Sequence, residues 1–433
     1  MDSPRYVVDH APDDAVFSHT DDTVWFHEPS SEAVADKIAS LAWGRFAALE
    51  QGARAVGPED ASTATYAGVY GVRAMTLSVP GVDAEVRRLA TAGLTWVGVH
   101  PDHRRRGVLK SMMRHHLEQV RAMPGVHLSA LHASEPSIYG RFGYGLACLE
   151  LSVALGRGTT LTAPHLDAEA ALLRTELATA ADPGMPARAQ QVWERAAARE
   201  VGIITGDDDF YVRISTEPPE ELRGKEQMRL LFARREGPDG ADVALAAFRR
   251  EHKWEKSRPG GELTVFAVVG EPAARLVLLR RLLDFDLIGT VKVWGLGVDD
   301  PLQHWVAGPR GLADTALFDS TWVRLVDLPE ALMARGYAAP CDLVLDVLDD
   351  TAPWNAGRWR LRVGEAGEAD VTRTDDEADL RLPVQALGAA YLGGVSPALL
   401  ALSGVIEELR PAAATRLWRS LRSDTRPTAS IGF

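Results

Sequence analysis

Three arginines and a glycine, Arg104, Arg105, Arg106 and Gly107, stand between an apolar run and a helix-like pattern in TWVGVHPDHRRRGVLKSMM, residues 95–113. The start of a helix exposes unpaired N–H groups and the positive end of the helix dipole, so it binds phosphate readily. The guanidinium groups add positive charge, and the glycine lets the backbone approach an anion closely. The turn therefore predicts a phosphate site, although its residues alone also fit a solvated basic turn at a surface helix.

The strands and helices predicted on either side of this turn indicate a mixed α/β domain over residues 1–155. Apolar residues spaced by three and four follow the turn as far as Val120, which predicts an amphipathic helix that Pro124 ends. The predicted elements are, in order, a helix at 32–49, strands at 64–79 and 92–100, the helix that begins at Val108, and a strand at 126–134.

A second domain is predicted at 156–315. It opens with a helix-like segment, DAEAALLRTELATA, at 167–180. Near its end the strand-like run at 262–270 leads directly into EPAARLVLLRRLLDF, so a strand again runs into an amphipathic helix. The junction GEP carries no arginine and only one glycine, so a repeat of the first unit here would have lost its anion site.

A third domain is predicted at 316–433, as an α+β unit without a visible catalytic constellation. Gly336 is suited to end a short helix in the left-handed conformation. Trp359, Leu361 and Val363 alternate with arginines, which predicts a strand with one buried face. Helices are predicted to follow at 384–392 and 396–410.

Composition excludes several classes of protein. The N-terminus lacks the basic and apolar regions of a secretion signal, and the longest apolar runs are too short to span a membrane. The only cysteines, Cys148 and Cys341, are far apart, so we expect no disulfide framework and a cytoplasmic location. A net charge of −13 argues against nucleic acid as a partner and is compatible with a cationic substrate. Adjacent His115 and His116 point to different helix faces, and we expect no metal site.

The stretch from WVGVHP through DHRRRG to LSALHAS and IYGRFGYG resembles the acyl-CoA-binding half of GNAT N-acetyltransferases. Three features are similar to the Eis (enhanced intracellular survival) branch of this family. They are the sequence HRRRG, the order ALHASE before IYGRFGYG, and Leu109, where most GNAT enzymes have glycine or alanine. TAGLTWVGV, LPEALMARGYA, AYLGG and a terminal phenylalanine stand in that family's order. The resemblance implies tandem GNAT domains, the second degenerate, a C-terminal domain like sterol carrier proteins, and a homo-hexamer.

The resemblance also implies where the co-substrate, acetyl-CoA, binds. In GNAT enzymes a strand parts from its neighbour, often at a bulge, and its free backbone groups pair with pantetheine. That role falls to Val97, Gly98 and Val99, with Gly98 as the candidate bulge. The other residues implied to bind the co-substrate are Arg104, Arg105, Arg106, Gly107, Val108, Leu109, Lys110, Ser134 and Glu135.

Moving an acetyl group from a thioester to an amine requires a deprotonated amine, a stabilised oxyanion and protonation of the leaving thiolate. The resemblance makes Tyr139 the general acid, since a phenol with a pKa near ~10 keeps its proton at neutral pH. Its residue type alone favours packing beside Phe142 and Tyr144.

The base implied by the resemblance is the carboxylate of the last residue, Phe433. An α-carboxyl group has a pKa of about 3.3–3.7 and is a weak base, so either burial raises that pKa or the group binds the substrate ammonium and orients a water. The ending SDTRPTASIGF also reads as an ordinary disordered terminus. Family members often have an acid before the final phenylalanine, where this chain has Gly432, which predicts a less acidic or differently shaped pocket.

Two residues are implied to contact the acceptor, Trp96 and His132, and Trp43 on the predicted first helix is a further aromatic candidate. His132, through a water, and Glu135 are alternative bases. By residue type alone, the tryptophans read as core and the histidine as a satisfied structural residue.

The resemblance thus implies an acetyl-CoA-dependent N-acetyltransferase that modifies amines of polycationic small molecules, with aminoglycosides as the class and antibiotic resistance as the consequence. A protein-lysine or polyamine acetyltransferase would use the same site. The alternative from another class is a lipid- or ligand-binding protein whose third domain holds an apolar molecule and whose GNAT site is vestigial.

Overall fold

The structure is a computed structural model that describes residues 5–11, 13–25, 44–51, 65–206, 211, 226–237, 240–255, 257–306, 308–428 and 432–433. The first part of the chain forms β1 (Tyr6–His10), α1 (Asp14–Trp25), β2 (Arg45–Glu50), β3 (Gly68–Pro80), β4 (Val86–Val99), α2 (Val108–Ala122), β5 (Leu128–His132), α3 (Pro136–Tyr139), β6 (Gly145–Leu146) and β7 (Leu149–Gly156).

The middle of the chain forms α4 (Asp167–Ala170), β8 (Leu173–Thr179), α5 (Met185–Ala197), β9 (Ile204–Thr205), β10 (Arg229–Arg235), β11 (Asp242–Glu251), β12 (Trp254–Glu255), β13 (Arg258–Pro259), β14 (Gly261–Gly270), α6 (Pro272–Leu283), β15 (Ile288–Leu296) and α7 (Leu302–Trp305). The last part forms β16 (Ala313–Asp319), β17 (Thr321–Leu325), α8 (Leu328–Ala334), β18 (Cys341–Leu348), β19 (Gly357–Val363), β20 (Ala369–Arg373), β21 (Leu380–Pro383), α9 (Val384–Ala390), α10 (Pro397–Leu402), β22 (Glu407–Glu408) and α11 (Ala413–Leu421).

Three large sheets confirm the mixed α/β fold. The first sheet has the order β1-β2-β3-β4-β5-β17-β6, with β9 added to β3, and the second has the order β16-β7-β15-β14-β11-β10-β8. The third sheet has the order β20-β19-β18-β21-β22. The first two sheets exchange strands across the proposed domain boundaries: β7 joins the second sheet and β17, at 321–325, joins the first.

The strand-to-helix unit of the first domain recurs in the second. Strands β4 and β5 are parallel neighbours on either side of α2 in sequence, and β14 and β15 are parallel neighbours on either side of α6. At the start of α6 stands Glu271, whose carboxylate pairs with Arg199 at 2.9 Å. An anionic side chain therefore occupies the position where the first unit has arginines, which disfavours a second phosphate there.

Two predicted helices are wrong in part because strand pairing overrides a local helical pattern. Residues 45–49, the end of the helix predicted at 32–49, belong to strand β2, which pairs on one side with β1 and on the other with β3. Residues 26–43 lie outside the described part. The helix predicted at 167–180 ends at Ala170, and Leu173–Thr179 becomes the edge strand β8, paired with β10.

The third domain follows its predicted elements with two corrections. Trp359, Leu361 and Val363 are buried, as their alternation predicts. Gly336 does not have the left-handed conformation; a side chain there would lie 2.0 Å from the backbone of Gly81, so close approach requires glycine. The helix predicted at 396–410 ends at Leu402, and the short strand β22 follows.

Apolar side chains cover both faces of the first sheet. Helix α2 buries Met112, Met113, Leu117 and Val120 against Tyr70, Val72, Ala92 and Leu94. Met75, Leu77 and Val79 point to the opposite face and join a core that extends into the second and third domains. Among the helices of the described ranges, none has the length and apolarity needed to cross a bilayer.

Candidate active site

The strands that flank α2 part from each other midway. Strand β4 pairs with β5 at only three positions, where Thr91, Ala92 and Gly93 lie opposite Leu128, Ser129 and Ala130. Beyond Gly93, β4 continues to Val99 beside β3, while β5 continues beside β17. Among the described strands, the edge of β4 that faces β5 therefore has no partner over residues 94–99. Such an edge can hydrogen-bond an extended ligand through its backbone.

A β-bulge lies at this edge, at Trp96 rather than at Gly98. Tyr70 of β3 faces two residues of β4, Trp96 and Val97, and Trp96 has a left-handed φ of 47°. The prediction of a bulge at Gly98 is wrong because this glycine keeps regular pairing with β3. It instead leaves room for α1, since a side chain at Gly98 would lie 3.0 Å from Val24. A left-handed tryptophan is strained, and such strain concentrates at functional sites.

The arginine turn leads from β4 into α2 through a short 3₁₀ turn at Pro101–His103. Gly107 precedes the helix with φ 91° and has open space where a side chain would point. The first turn of α2 has no acidic residue and no side-chain cap, so its amide groups are open to an anion.

The side chains of this turn are arranged for an anion as well. Arg104, Arg105 and Arg106 are exposed, and none is ion-paired with another residue of the described part. Lys110 is also exposed, whereas Val108 is buried and Leu109 is half-buried against the first core. The two apolar residues can therefore contribute only their backbone groups to a bound phosphate.

Tyr139 lies beyond the end of β5, on the short helix α3. Its side chain is buried, and its ring meets Tyr144 edge-on with centroids 6.1 Å apart. Burial, and secondarily the carboxylate of Glu135, raises the pKa of Tyr139 to about 12. The phenol therefore holds its proton at neutral pH and is available as a proton donor. Ser134 and Glu135 are exposed between β5 and this helix.

A buried polar network joins β4, β5 and α2 at the point where the strands part. The Ser129 hydroxyl donates to the Ala92 carbonyl of β4 at 3.0 Å, and it lies 2.9 Å from His116 Nε2 and 2.8 Å from the Tyr144 hydroxyl. The histidine and the tyrosine can both donate to the two lone pairs of this serine. Sequence reasoning missed this network, because a lone serine in an apolar strand gives no local signal.

This network predicts an acid-sensitive stability. Burial lowers the pKa of His116 to about 3, below its ordinary 6.5, so between these pH values the unfolded chain binds a proton that the folded chain does not. Stability should fall as the pH drops below 6.5, by about 2 kcal/mol from this residue between pH 7 and pH 5. Urea unfolding of wild type and His116→Gln at both pH values measures it: the variant should lose less stability, and equal losses would contradict the assignment.

The last residue of the chain lies where β4 and β5 part. The Phe433 ring meets His132 edge-on, with centroids 5.0 Å apart, and a side chain at Gly93 would lie 3.1 Å from it. It packs on the sheet face opposite α2, near Met75. The terminus is therefore seated against the first domain, and the interpretation of residues 432–433 as an ordinary disordered end does not fit these contacts. A bulky residue at position 93 would occupy the same space.

His132 lies beside this terminus as a neutral imidazole. Its Nε2 is 3.4 Å from the Ser320 hydroxyl and 3.5 Å from the Thr321 hydroxyl, and its buried Nδ1 has no hydrogen-bond partner among the described residues. Burial lowers the pKa of His132 to about 4. An imidazole that is so difficult to protonate is a poor general base at neutral pH, which favours a role in packing or in hydrogen bonding.

Two polar residues near this site had no signal in the sequence. The Arg73 guanidinium lies 5.2 Å from the Trp96 ring centroid, and β3 carries it on the same face as Met75. Asp21 of α1 is buried, its Oδ1 has no hydrogen-bond partner in the described part of the chain, and burial raises its pKa to about 7. A carboxyl group with that pKa can exchange a proton near neutral pH. Trp43 lies outside the described residues.

The comparisons with known proteins agree with this architecture. Two family models described as acetyltransferase (GNAT) domain match residues 16–147 and 184–325, and one described as sterol carrier protein domain matches residues 328–430. These matches confirm the predicted tandem of GNAT domains followed by a sterol-carrier-like domain.

Relatives match over most of the chain. N-acetyltransferase Eis of Mycobacterium tuberculosis is 31% identical over 364 residues, covering 83% of this chain and 84% of the relative. An uncharacterized N-acetyltransferase of Streptomyces coelicolor is 38% identical over 358 residues, covering 82% of this chain and 83% of the relative. The crystal structure of Eis1 from Mycobacterium abscessus matches with a TM-score of 0.78 at 26% identity, covering 99% of this chain and 100% of that one. The chain is an N-acyltransferase that belongs to the Eis family of GNAT acetyltransferases.

Proposed function

We propose that this enzyme transfers the acetyl group of acetyl-CoA to amines of a polycationic small molecule, with aminoglycosides as the acceptor class and more than one amine modified per molecule. The observation that carries this proposal is the position of Phe433, whose ring lies against Gly93 and His132 where β4 and β5 part. A carboxylate at that point meets an incoming ammonium group with opposite charge. The net charge of −13 favours approach of a polycation.

The residues of the turn and of β4 fit a nucleotide-tailed thioester. Arg104, Arg105 and Arg106, with the open amides of α2, would bind its diphosphate. The edge of β4 that faces away from β3, at Val97, Gly98 and Val99, would hydrogen-bond the pantetheine amides. Once bound, the co-substrate supplies an activated acyl group and a thiol leaving group; the protein supplies orientation and proton transfer.

The two ends of the reaction need opposite proton transfers. The Phe433 carboxylate binds the acceptor ammonium and takes its proton, directly or through a water, which frees the nitrogen lone pair. The nitrogen–carbon bond then forms, the carbon–sulfur bond breaks, and the acylated nitrogen releases its second proton to solvent, from which Tyr139 is later reprotonated. Tyr139 gives its hydroxyl proton to the departing sulfur, and its raised pKa keeps that proton available across the neutral range.

Thiol release by the purified enzyme tests the acceptor class. Acetyl-CoA is incubated with kanamycin, spermidine or a lysine peptide, and free thiol and acetylated product are measured. We expect turnover with kanamycin and products with more than one acetyl group. Turnover with the peptide alone, or with spermidine alone, would replace the aminoglycoside proposal by one of the alternative acetyltransferases.

Changing Arg104 to glutamine should weaken the binding of coenzyme A about threefold to tenfold, or up to about 1.4 kcal/mol, because one phosphate contact is lost. The measurement is calorimetric titration of wild type and Arg104→Gln at two salt concentrations, with the wild type more salt-dependent. Arg114→Gln is the matched control, since Arg114 is exposed on the same helix and the charge change is the same. Equal affinity of the two variants would argue against a diphosphate at the turn.

The ligand-binding alternative finds little support in the third domain. A cleft of about 870 Å³ in this domain is lined mostly by arginines and carboxylates. Arg360 pairs with Asp342 at 2.7 Å, and Arg410 and Arg416 both approach Asp379 at 3.6 Å. A cleft of paired charges is a poor site for an apolar molecule.

We also propose a cytoplasmic homo-hexamer that binds no nucleic acid, as the family resemblance, the cysteine content and the acidic balance imply. Exposed apolar side chains support self-association: Trp294 stacks on Phe318 with centroids 5.3 Å apart, and Leu317 is 56% exposed beside it. Edge strand β16 carries two of these three residues. Sedimentation of the purified protein at several concentrations measures the oligomeric state.

A further inference from the structure

Residues 426–428, close to the end of the chain, are hydrogen-bonded to the second domain. The Arg426 amide donates to Asp299 at 2.9 Å, and the Thr428 amide donates to the Val201 carbonyl at 2.8 Å. The Thr428 hydroxyl also donates to a carboxylate oxygen of Glu200 at 3.0 Å. Residues 426–428 therefore run in a specific hydrogen-bonded path, although they lie in a coil segment after α11.

The middle residue of this path, Pro427, is enclosed by close packing. Its carbonyl accepts a weak hydrogen bond from the Cys148 thiol at 3.3 Å, and its side chain is buried. A side chain at Gly394 would lie 2.6 Å from Pro427 Cδ, a distance that real atoms avoid. Gly394 is not among the glycines with positive φ, so alanine can adopt its backbone and would clash only with the proline. We call the residues that hold this segment the tail seat: Cys148, Glu200, Val201, Asp299 and Gly394.

The tail seat restricts where the terminus can go. Phe433 is five residues beyond Thr428, so the seat keeps it within a reach of about 17 Å. The next backbone anchor upstream is Ser423, whose amide donates to Gly393 at 3.2 Å, ten residues before the end. Without the seat, the free segment doubles in length. The effective concentration of the terminus at Gly93 then falls about threefold, since it scales as roughly the −3/2 power of length.

We propose that the tail seat positions the terminal carboxylate for acetyl transfer, with Thr428 and Gly394 as positioning residues that touch neither the acceptor nor acetyl-CoA. This inference rests on the proposed role of Phe433. It explains why the terminal segment is hydrogen-bonded to Glu200, Val201 and Asp299 of the second domain. These residues direct the end of the chain toward the first domain, although the helix start of the second domain has no arginines of its own.

The test uses the full-length enzyme and two independent variants. Gly394→Ala displaces Pro427 by steric contact, and Thr428→Val removes the hydroxyl that bonds Glu200. Both should lower kcat threefold or more, leave the affinity for coenzyme A unchanged, and raise deuterium uptake in the peptide that covers residues 422–433. Thr428→Ser keeps the hydroxyl and should restore activity, and Thr425→Val, at an exposed position, is the matched control.

The outcomes separate this inference from the function on which it rests. If an enzyme that lacks Phe433 is inactive but both seat variants keep wild-type kcat, the tail seat does not position the terminus. The inference also fails if kcat falls without any rise in deuterium uptake in the tail peptide. If the enzyme that lacks Phe433 keeps full activity, the proposed role of the terminal carboxylate fails, whatever the seat variants do.

Discussion

Extending the chain by a few residues beyond Phe433 is expected to lower acetyl transfer at least about 10²-fold, the lower end of the range for one acid–base group. An extension converts the terminal carboxylate into a neutral amide and adds bulk where the ring packs on Gly93 and His132. The measurement is kcat of an enzyme with a short C-terminal extension, compared with an enzyme that carries the same extension at its N-terminus.

The extended enzyme should keep its fold and its affinity for coenzyme A, because the arginine turn lies on α2 and the terminus packs on the opposite face of the sheet. Circular dichroism and calorimetric titration check both points. A C-terminally extended enzyme with wild-type kcat would remove the terminal carboxylate from the mechanism.

Replacing Tyr139 by phenylalanine is expected to reduce kcat about 10²- to 10⁴-fold, the usual range for loss of a general acid. The hydroxyl is lost while the buried ring keeps its contact with Tyr144, so the packing and the affinity for coenzyme A should change little. Steady-state kinetics and calorimetric titration of Tyr139→Phe provide the two measurements.

Tyr144→Phe is the control for this experiment. Its hydroxyl bonds Ser129 in the buried network, so its loss should lower stability by about 1 kcal/mol and leave most of kcat. The pKa of about 12 adds a second expectation: wild-type activity should persist at pH 10, where an ordinary tyrosine would be half ionised. Unchanged kcat in Tyr139→Phe would exclude this phenol as the acid.

Local sequence patterns predicted the elements that depend on neighbours in the chain. The arginine turn before α2, the repeated strand-to-helix unit at β14 and α6, and the buried face of β19 all follow from residues within about one element of each other. Their periods of 3.6 and 2 are properties of the helix and the strand themselves. For this reason these predictions are confirmed, whereas helices that compete with strand pairing, at 32–49 and 167–180, are partly wrong.

In the candidate site, too, the sequence indicates some features and not others. The residue types of the turn indicate an anion, and the family motif points to Tyr139, but neither shows the divided strands, the bulge at Trp96 or the network around Ser129. The parting of β4 and β5 follows from β5 pairing with β17, almost 190 residues later in the chain. The bulge and the network depend on contacts among β3, β4, β5 and α2. The spacing of apolar residues in the sequence does not identify such tertiary partners.

The sequence alone predicts a mixed α/β enzyme with an anion-binding turn before a helix, a candidate acid and a terminal phenylalanine in the order of the Eis family. Only the tertiary structure showed that β7 joins the second sheet and β17 the first, and that the Phe433 ring lies beside Gly93 while Thr428 bonds Glu200. The physical reason is that the periodicity of apolar residues depends only on which side of a helix or strand is buried. The element that packs against that side depends on tertiary contacts between residues that are far apart in the sequence.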